Sequence, residues 1–211
     1  MKKFLSHTKK YLAFGWKTFK ACPWLFVAVP LLLFAISLGI GLVEGLFEFV
    51  FGKEKMELLI DLEGFITTLL MGIGVTTLYL KAHDHVNKAE LRDLWNPKPF
   101  WRYLGVCFLG SIPVILGLVL FIVPGVIIAL AFSFAGILVI EKDLGPVEAL
   151  KESVRLTRGH RFELFKLAVA TLLLNILGLC ALIVGLFVTV PVTQLAFMHA
   201  YRTIAKKEQA A

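Results

Sequence analysis

The sequence predicts an all-α, polytopic transmembrane bundle, and three observations support that prediction. Hydrophobic residues make up 58% of the 211 residues, and the mean hydropathy is +0.83. Charged residues make up 18%, which is below the roughly 25% of soluble domains. Long apolar runs alternate with short charged segments, as in chains that cross a bilayer several times. We expect one integral membrane domain over residues 1–211.

Six hydrophobic segments are expected from the apolar runs. In chain order they lie at about 23–50, 58–80, 100–123 and 125–140, then from 162 onward, and finally up to 200. A span needs about 20 apolar residues, so the first three are long enough and the fourth is short. The last two share one stretch and must turn near 178–185, where two full spans barely fit. About six spans are therefore predicted, with four or five as alternatives.

Positive charge is distributed unequally between the two sides of such a bundle. If the N-terminus is cytoplasmic and the spans alternate, the outer connections are 51–57, about 123–125 and about 178–185. Only Lys53 and Lys55 of the 22 lysines and arginines lie in them, which leaves 20 on or near the cytoplasmic side. Because cytoplasmic loops are enriched in Lys and Arg, we expect a multi-pass protein of the plasma (inner) membrane with both termini in the cytoplasm.

A weak internal repeat divides the chain into units of about 1–82, 83–142 and 143–211. Each unit is predicted to contain a cytoplasmic amphipathic helix, a helix breaker, an aromatic residue and a hydrophobic hairpin, and the first helix is expected to lie on the membrane surface. Proline and glycine let the chain turn at such points. The expected breaks are Pro23, Pro97, Pro124, Gly125, Gly159 and Pro191.

The segment 148–167, EALKESVRLTRGHRFELFKL, is unusually basic for so apolar a chain. One interpretation is an interfacial helix that also acts as a topology signal. The other is recognition of an anionic lipid headgroup. The candidate headgroup residues are Lys151, Arg155, Arg158, His160 and Arg161. A topology signal requires neither Ser153 nor the run 157–160, so these residues are the place to look for a more specific role.

Acidic residues are concentrated around the turn between the first two hydrophobic segments. Glu44, Glu48, Asp61 and Glu63 lie where the first span ends and the second begins. Charges at an interface cost little, whereas charges deep in hydrocarbon are usually functional. The cluster is therefore either a solvated outer rim or the site of a transported cation or proton.

Several other classes of function are not expected. The basic residues lie between apolar runs, so an anionic lipid surface is a better partner than nucleic acid. The triplet His83-Asp84-His85 has no evident third ligand, and the three cysteines have no metal-binding spacing, so no metal site is expected. No nucleophile elbow, P-loop, zinc-protease motif or dinucleotide fingerprint is present. We therefore expect neither a catalytic site nor a cofactor.

The stretch VPGVIIALAFSFAGILVIEKDLGPVEALKESVRLTRGH resembles the signature of a bacterial integral membrane superfamily. The matching features are Pro124-Gly125, the two phenylalanines of the following span, the acidic region 141–143 and the text EALKESVRLTRG; the ending VTVPVTQLAFMHAYRTI is also similar. That superfamily includes the membrane domain attached to some glycerophosphodiester phosphodiesterases, and stand-alone relatives of unknown function. The resemblance is best over 120–204. This chain lacks the phosphodiesterase barrel, so the resemblance implies a multi-span helical domain without hydrolase activity.

The sequence therefore predicts a non-enzymatic membrane protein that engages anionic lipids and serves membrane or envelope organisation. Two other functions stay open. One is a small transporter or channel with an acidic outer mouth, and the other is a membrane partner of a separate soluble enzyme. Membrane lipids are the expected partners in every case.

Overall fold

The computed structural model describes residues 2–181 and 184–209, which form an all-α bundle. The α-helices of these residues are α1 Lys2–Ala21, α2 Pro23–Phe51, α3 Lys53–Asp84, α4 Phe100–Leu120, α5 Ile122–Phe132, α6 Ala135–Lys142, α7 Pro146–Thr157, α8 Arg161–Cys180 and α9 Leu186–Gln209. Two short 3-10 turns, Val86–Lys88 and Leu91–Leu94, connect α3 to α4. The predicted fold class is confirmed.

Five helical stretches of the described residues are long and apolar enough to cross a membrane. They are Pro23–Val50, Ile60–Asp84, Phe100–Leu120, Ile122–Lys142 and Arg161–Cys180. The fourth stretch consists of α5 and α6 with a short interruption between them. The sixth hydrophobic segment becomes the first part of α9, which also contains Gln194 and His199 and ends in charged residues. At about 36 Å, α9 is nevertheless long enough to cross a hydrocarbon core of roughly 30 Å.

Three helical hairpins point in the same direction. The antiparallel pairs α2–α3, α4–α5 and α8–α9 are joined at Gly52, at Phe121 and by the segment between Cys180 and Leu186, in which Ala181 and Gly185 lie in turns. Asp84 at the end of α3 and Glu141 at the end of α6 both bind Arg202 near the end of α9, so these helices run parallel. The three turns therefore lie on the same side of the bundle, which we call the hairpin end, and α1 and α7 lie toward the opposite, packed end.

The protein core lies toward the packed end. Side chains from α2, α3, α6 and α9 are fully buried there: Phe26, Tyr79, Leu138, Leu195 and Tyr201. Toward the hairpin end the helices expose large apolar side chains, among them all those from 119 to 123. Such a surface is costly in water but not in lipid, which is as apolar as leucine. The distribution of exposed side chains agrees with a membrane protein.

The α1 helix packs against α9, which corrects the prediction of a helix lying on the membrane surface. The two helices approach most closely at Gly15, where an added Cβ would lie 2.4 Å from the carbonyl oxygen of Val192. Tyr11 and Phe19 are buried on the same side. An apolar stripe looks the same in sequence whether protein or lipid covers it, so the pattern predicted the helix correctly but not the surface that it contacts.

Three of the expected breaks coincide with ends of helices. Pro23 begins α2, Pro97 lies just before α4, and Gly159 lies between α7 and α8. The second unit begins with the two 3-10 turns, and not with the amphipathic helix that was predicted. The backbone is extended at Ala89 and Glu90, between the two turns, so no continuous helix forms before the sequence NPKP at 96–99.

The other three expected breaks are wrong. Pro124 and Gly125 lie in the first turn of α5, because the chain has already turned at Phe121. Proline is tolerated there, since the first backbone N–H groups of a helix have no partner within the helix. Pro191 lies inside α9, which continues through it. Membrane helices accommodate such a proline because neighbouring helices satisfy the freed backbone groups.

The interruption between α5 and α6 is stabilised by α7. The Ser153 hydroxyl donates a hydrogen bond to the carbonyl oxygen of Ala131 at 2.7 Å and accepts one from the backbone N–H of Phe134 at 3.2 Å. The Thr157 hydroxyl lies 2.8 Å from the Ser153 carbonyl oxygen and 3.3 Å from that of Ala131. All these groups are buried. Ser153 and Thr157 therefore satisfy backbone groups where the helix is broken, which explains their presence in the basic segment.

Candidate functional site

The basic segment 148–167 forms most of α7, the turn at Gly159 and the start of α8. The φ angle of Gly159 is 83°, a conformation that favours glycine. One side of α7 is buried against α4, α5 and α6, through Ala149 and Leu156 among others. The opposite side exposes Lys151 and Arg155. The helix is thus part of the packed bundle, and only its basic side faces outward.

Arg155 is paired within the protein. Its Nε and Nη2 atoms donate hydrogen bonds of 2.8 and 2.7 Å to the Glu152 carboxylate, and Lys142 lies 3.6 Å from the same group. The bond to Arg155 lowers the pKa of Glu152, and Lys142 adds to the effect. An external anion would have to compete with Glu152 for Arg155.

Arg161, the first residue of α8, lies in a groove of about 640 Å³ between α5 and α8. The other residues that line it are apolar: Ile122, Val123, Val126, Ile127, Leu130, Phe162 and Phe165. The Nε atom of Arg161 is buried and has no hydrogen-bond partner in the described part of the chain. Arg158 lies one turn earlier and is exposed. The groove is therefore an apolar slot with one guanidinium in its wall.

His160 belongs to a different cluster, which joins α1 to α8. Its Nδ1 atom lies 3.3 Å from Glu163 Oε2, while the Tyr11 hydroxyl donates a hydrogen bond of 2.7 Å to Oε1 of the same residue. His7 lies 3.2 Å from Oε1. Burial and the bond to Glu163 raise the pKa of the Tyr11 hydroxyl. His160 thus contributes to packing of α1, apart from the groove.

A network that sequence reasoning missed joins α3, α6 and α9. Arg202 forms ion pairs with Glu141 and with Asp84, and Tyr201 donates a 2.5 Å hydrogen bond to Glu141. Burial and this bond raise the pKa of the Tyr201 hydroxyl.

Two histidines extend this network. His83 Nδ1 lies 3.0 Å from Asp84, and its Nε2 lies 3.0 Å from Nδ1 of His199, which stacks on Phe14. Burial and the proximity of His83 lower the pKa of His199. The triplet at 83–85 was the signal in the sequence that could have indicated this network. The α9 residues that its side chains contact lie more than a hundred residues away. No group of three or more potential metal ligands occurs in the described residues.

The acidic candidates lie near the hairpin end. Glu44 and Glu63 line an apolar cavity of about 600 Å³ between α2 and α3. Glu63 also accepts a 2.7 Å hydrogen bond from Thr67. Glu48 and Asp61 are close enough to affect Glu44 electrostatically but do not line this cavity.

A domain family described as a domain of unknown function, DUF7847, matches residues 90–205. This range includes the groove, the α5–α6 interruption and most of α9. Two curated relatives are named UPF0259 membrane proteins, one from Sodalis glossinidius and one from Pectobacterium carotovorum. Each is 32% identical over 93 residues, which is 44% of this chain and 37% of the relative.

The chain therefore aligns with little more than a third of the length of these relatives. No solved structure matches the chain. Neither the family description nor the names of these relatives indicate an enzymatic activity. Together with the apolar helices, the relatives identify a multi-pass membrane protein of an uncharacterised bacterial family.

Proposed function

The chain belongs to the DUF7847 family, and we propose that this multi-pass membrane protein binds anionic lipid at Arg161 in the cytoplasmic leaflet. The observation that supports the proposal is the apolar groove with a guanidinium in its wall. A lipid phosphate would supply acceptors for Arg161, and its acyl chains would cover the apolar side chains. Arg is well suited to this because its planar fork can donate two parallel hydrogen bonds to a phosphate.

The pairing of other cations supports the choice of Arg161. Arg155 is bound to Glu152, Lys81 to Asp93 at 2.8 Å, and Arg202 to two carboxylates. Arg161 forms no ion pair with the described residues. Its position at the start of α8 adds the positive end of the helix dipole, which favours an anion. Lys166, whose ammonium lies 4.8 Å from the Phe162 ring centre, places a second positive charge near the groove.

The proposed orientation has the packed end in the cytoplasm. This end contains most of the lysines and arginines, as the positive-inside rule requires of a cytoplasmic side. Trp24, Trp95 and Trp101 are exposed near it, and tryptophan is enriched where a membrane meets water. Anionic lipids of the cytoplasmic leaflet would then be within reach of Arg161. The proposed role is organisation of the membrane or envelope through such lipids.

The test compares two charge-neutralising variants. Arg161→Gln should lower the amount of phosphatidylglycerol that co-purifies in mild detergent at least severalfold, as measured by native mass spectrometry. Arg155→Gln is the matched control, because Arg155 is exposed and already paired with Glu152, and it should retain the lipid. Equal lipid content in Arg161→Gln and the parent protein would contradict the proposal.

A small transporter is the second candidate, because Glu44 and Glu63 line an apolar cavity and carboxylates at membrane depth are usually functional. Cation or proton flux into liposomes should then decrease in Glu44→Gln.

A third candidate, a membrane partner of a soluble enzyme, rests on the resemblance to membrane domains of glycerophosphodiester phosphodiesterases. It predicts that such an enzyme is recovered with the tagged protein, and its absence from the purified complex would count against this candidate.

A further inference from the structure

Two cavities that open to the side of the bundle meet at Gln194 of α9. The first, of about 470 Å³, is lined by residues of α3, α4, α5, α6, α7 and α9. The second, of about 350 Å³, lies between α5, α8 and α9. Gln194, Ser133 and Phe197 line both cavities. The side chain of Gln194 can therefore reach a ligand in either cavity.

Several uncharged polar groups of these cavities have no hydrogen-bond partner within the described residues. They include the carboxamide of Gln194 and the hydroxyl of Tyr103 in the first cavity. In the second, Oδ1 of Asn175 is buried and has no partner. The hydroxyls of Ser133 and Thr193 donate to carbonyls of their own helices, which leaves their lone pairs as acceptors. Buried polar groups are normally paired, so the unpaired oxygen of Asn175 indicates a polar ligand. The carboxamide of Gln194, which is only partly buried, can reach the same ligand.

The depth and charge of the cavities limit the chemistry of that ligand. Gln194 lies eight residues before Arg202 on α9, which corresponds to about 12 Å from the charged network of the packed end. No charged side chain among the described residues lines either cavity. The remaining walls are mostly apolar, and include Val106, Ile137 and Leu167. An ionised ligand would be unpaired there at a high energetic cost, so the ligand must be neutral.

We propose that these cavities bind a neutral lipid that has a hydroxyl group and ester carbonyls, of the diacylglycerol class. A carboxamide both donates and accepts hydrogen bonds. Gln194 and Asn175 can therefore donate to an ester carbonyl and accept from a hydroxyl, while the apolar walls contact the acyl chains. The site is separate from the groove of Arg161, since Leu130 of α5 lies in the wall between them and lines both the groove and the second cavity.

The test uses the full chain in detergent, with 1,2-dioctanoylglycerol as the neutral probe and dioctanoyl phosphatidylglycerol as the anionic one. Dioctanoylglycerol should raise the Tm in a concentration-dependent manner, by on the order of 5 °C at a hundredfold excess over its Kd. Gln194→Leu should lose at least half of this shift and Asn175→Leu should also reduce it, whereas Gln194→Asn, which keeps the carboxamide, should retain most of it. Thr68→Val, which removes an exposed hydroxyl of α3, is the control and should respond like the parent protein.

The stability without ligand separates binding from a structural role. Because the Gln194 amide has no hydrogen-bond partner, Gln194→Leu should have a Tm equal to or above that of the parent protein. A large fall in that Tm, or a failure to fold, would show that Gln194 holds the bundle together and would overturn the proposal. It would also be overturned if dioctanoylglycerol gave no shift, or if Gln194→Leu and Asn175→Leu both kept the full shift. The Tm shift with dioctanoyl phosphatidylglycerol, and its loss in Arg161→Gln, tests only the groove of Arg161 and not the neutral-lipid site.

Discussion

Replacing Ser153 with alanine should destabilise the protein through the interruption between α5 and α6. Ser153 is 0% exposed, and its hydroxyl bonds both the Ala131 carbonyl oxygen and the Phe134 N–H. A buried backbone group that loses its partner costs about 1–3 kcal/mol. The Thr157 hydroxyl lies 3.3 Å from the Ala131 oxygen and can replace one bond, so Phe134 N–H is the group left unpaired. The expected loss is therefore about 1–3 kcal/mol, and not twice that amount.

The measurement is thermal unfolding in one detergent, followed by the fluorescence of the four tryptophans. A loss of this size corresponds to a decrease in Tm of roughly 2–12 °C for a chain of this length. Ser111→Ala is the matched control, because Ser111 is exposed and its hydroxyl donates only to the Phe108 carbonyl of its own helix at 2.9 Å. If Ser153→Ala lowered the Tm no more than Ser111→Ala, the hydrogen bonds of Ser153 would not stabilise the interruption.

Two further predictions concern close packing and pH. Gly74→Ala should destabilise by about 1–3 kcal/mol, since its Cβ would lie 1.8 Å from the Leu94 carbonyl oxygen, while Gly39→Ala, with no atom within 4 Å, should be neutral or stabilising in the same thermal unfolding assay. Because burial and His83 lower the pKa of His199 from 6.5, the unfolded chain binds more protons, so the Tm should fall as the pH drops below about 6.5. His199→Gln should weaken this dependence, and an unchanged pH profile would contradict the argument.

The number and position of the hairpins could be predicted because the lipid hydrocarbon imposes the same requirement on every helix that crosses it. A span must be apolar over about 20 residues wherever it lies in the bundle, so runs of apolar residues were sufficient to locate the spans. The turn at Gly52 lies within the predicted connection, and that at Phe121 lies two residues before the predicted one. Prolines were a less reliable guide, because Pro124 and Pro191 are accommodated inside helices.

Features that depend on distant partners could not be predicted. The sequence around the α5–α6 interruption, ALAFSFAGIL, is apolar except for Ser133, and the α7 groups that satisfy its backbone lie about 20 residues later. Likewise, Arg161 was one of five basic candidates with similar surroundings in sequence. Arg161 differs from Arg155 because the guanidinium of Arg155 is bound to Glu152, whereas the α5 side chains around the guanidinium of Arg161 are all apolar.

The low hydropathy of α9 follows from its position in the bundle. Helices α1, α2, α3, α7 and α8 all contact it, so most of its surface faces protein, and Leu195, Ala196 and Ala200 are fully buried. A helix that faces mostly protein gains little from apolar side chains on every side. It can instead place Gln194 at membrane depth and Arg202 at the packed end. The polar residues that make α9 a poor candidate span are therefore the ones that line the two cavities and form the ion-pair network.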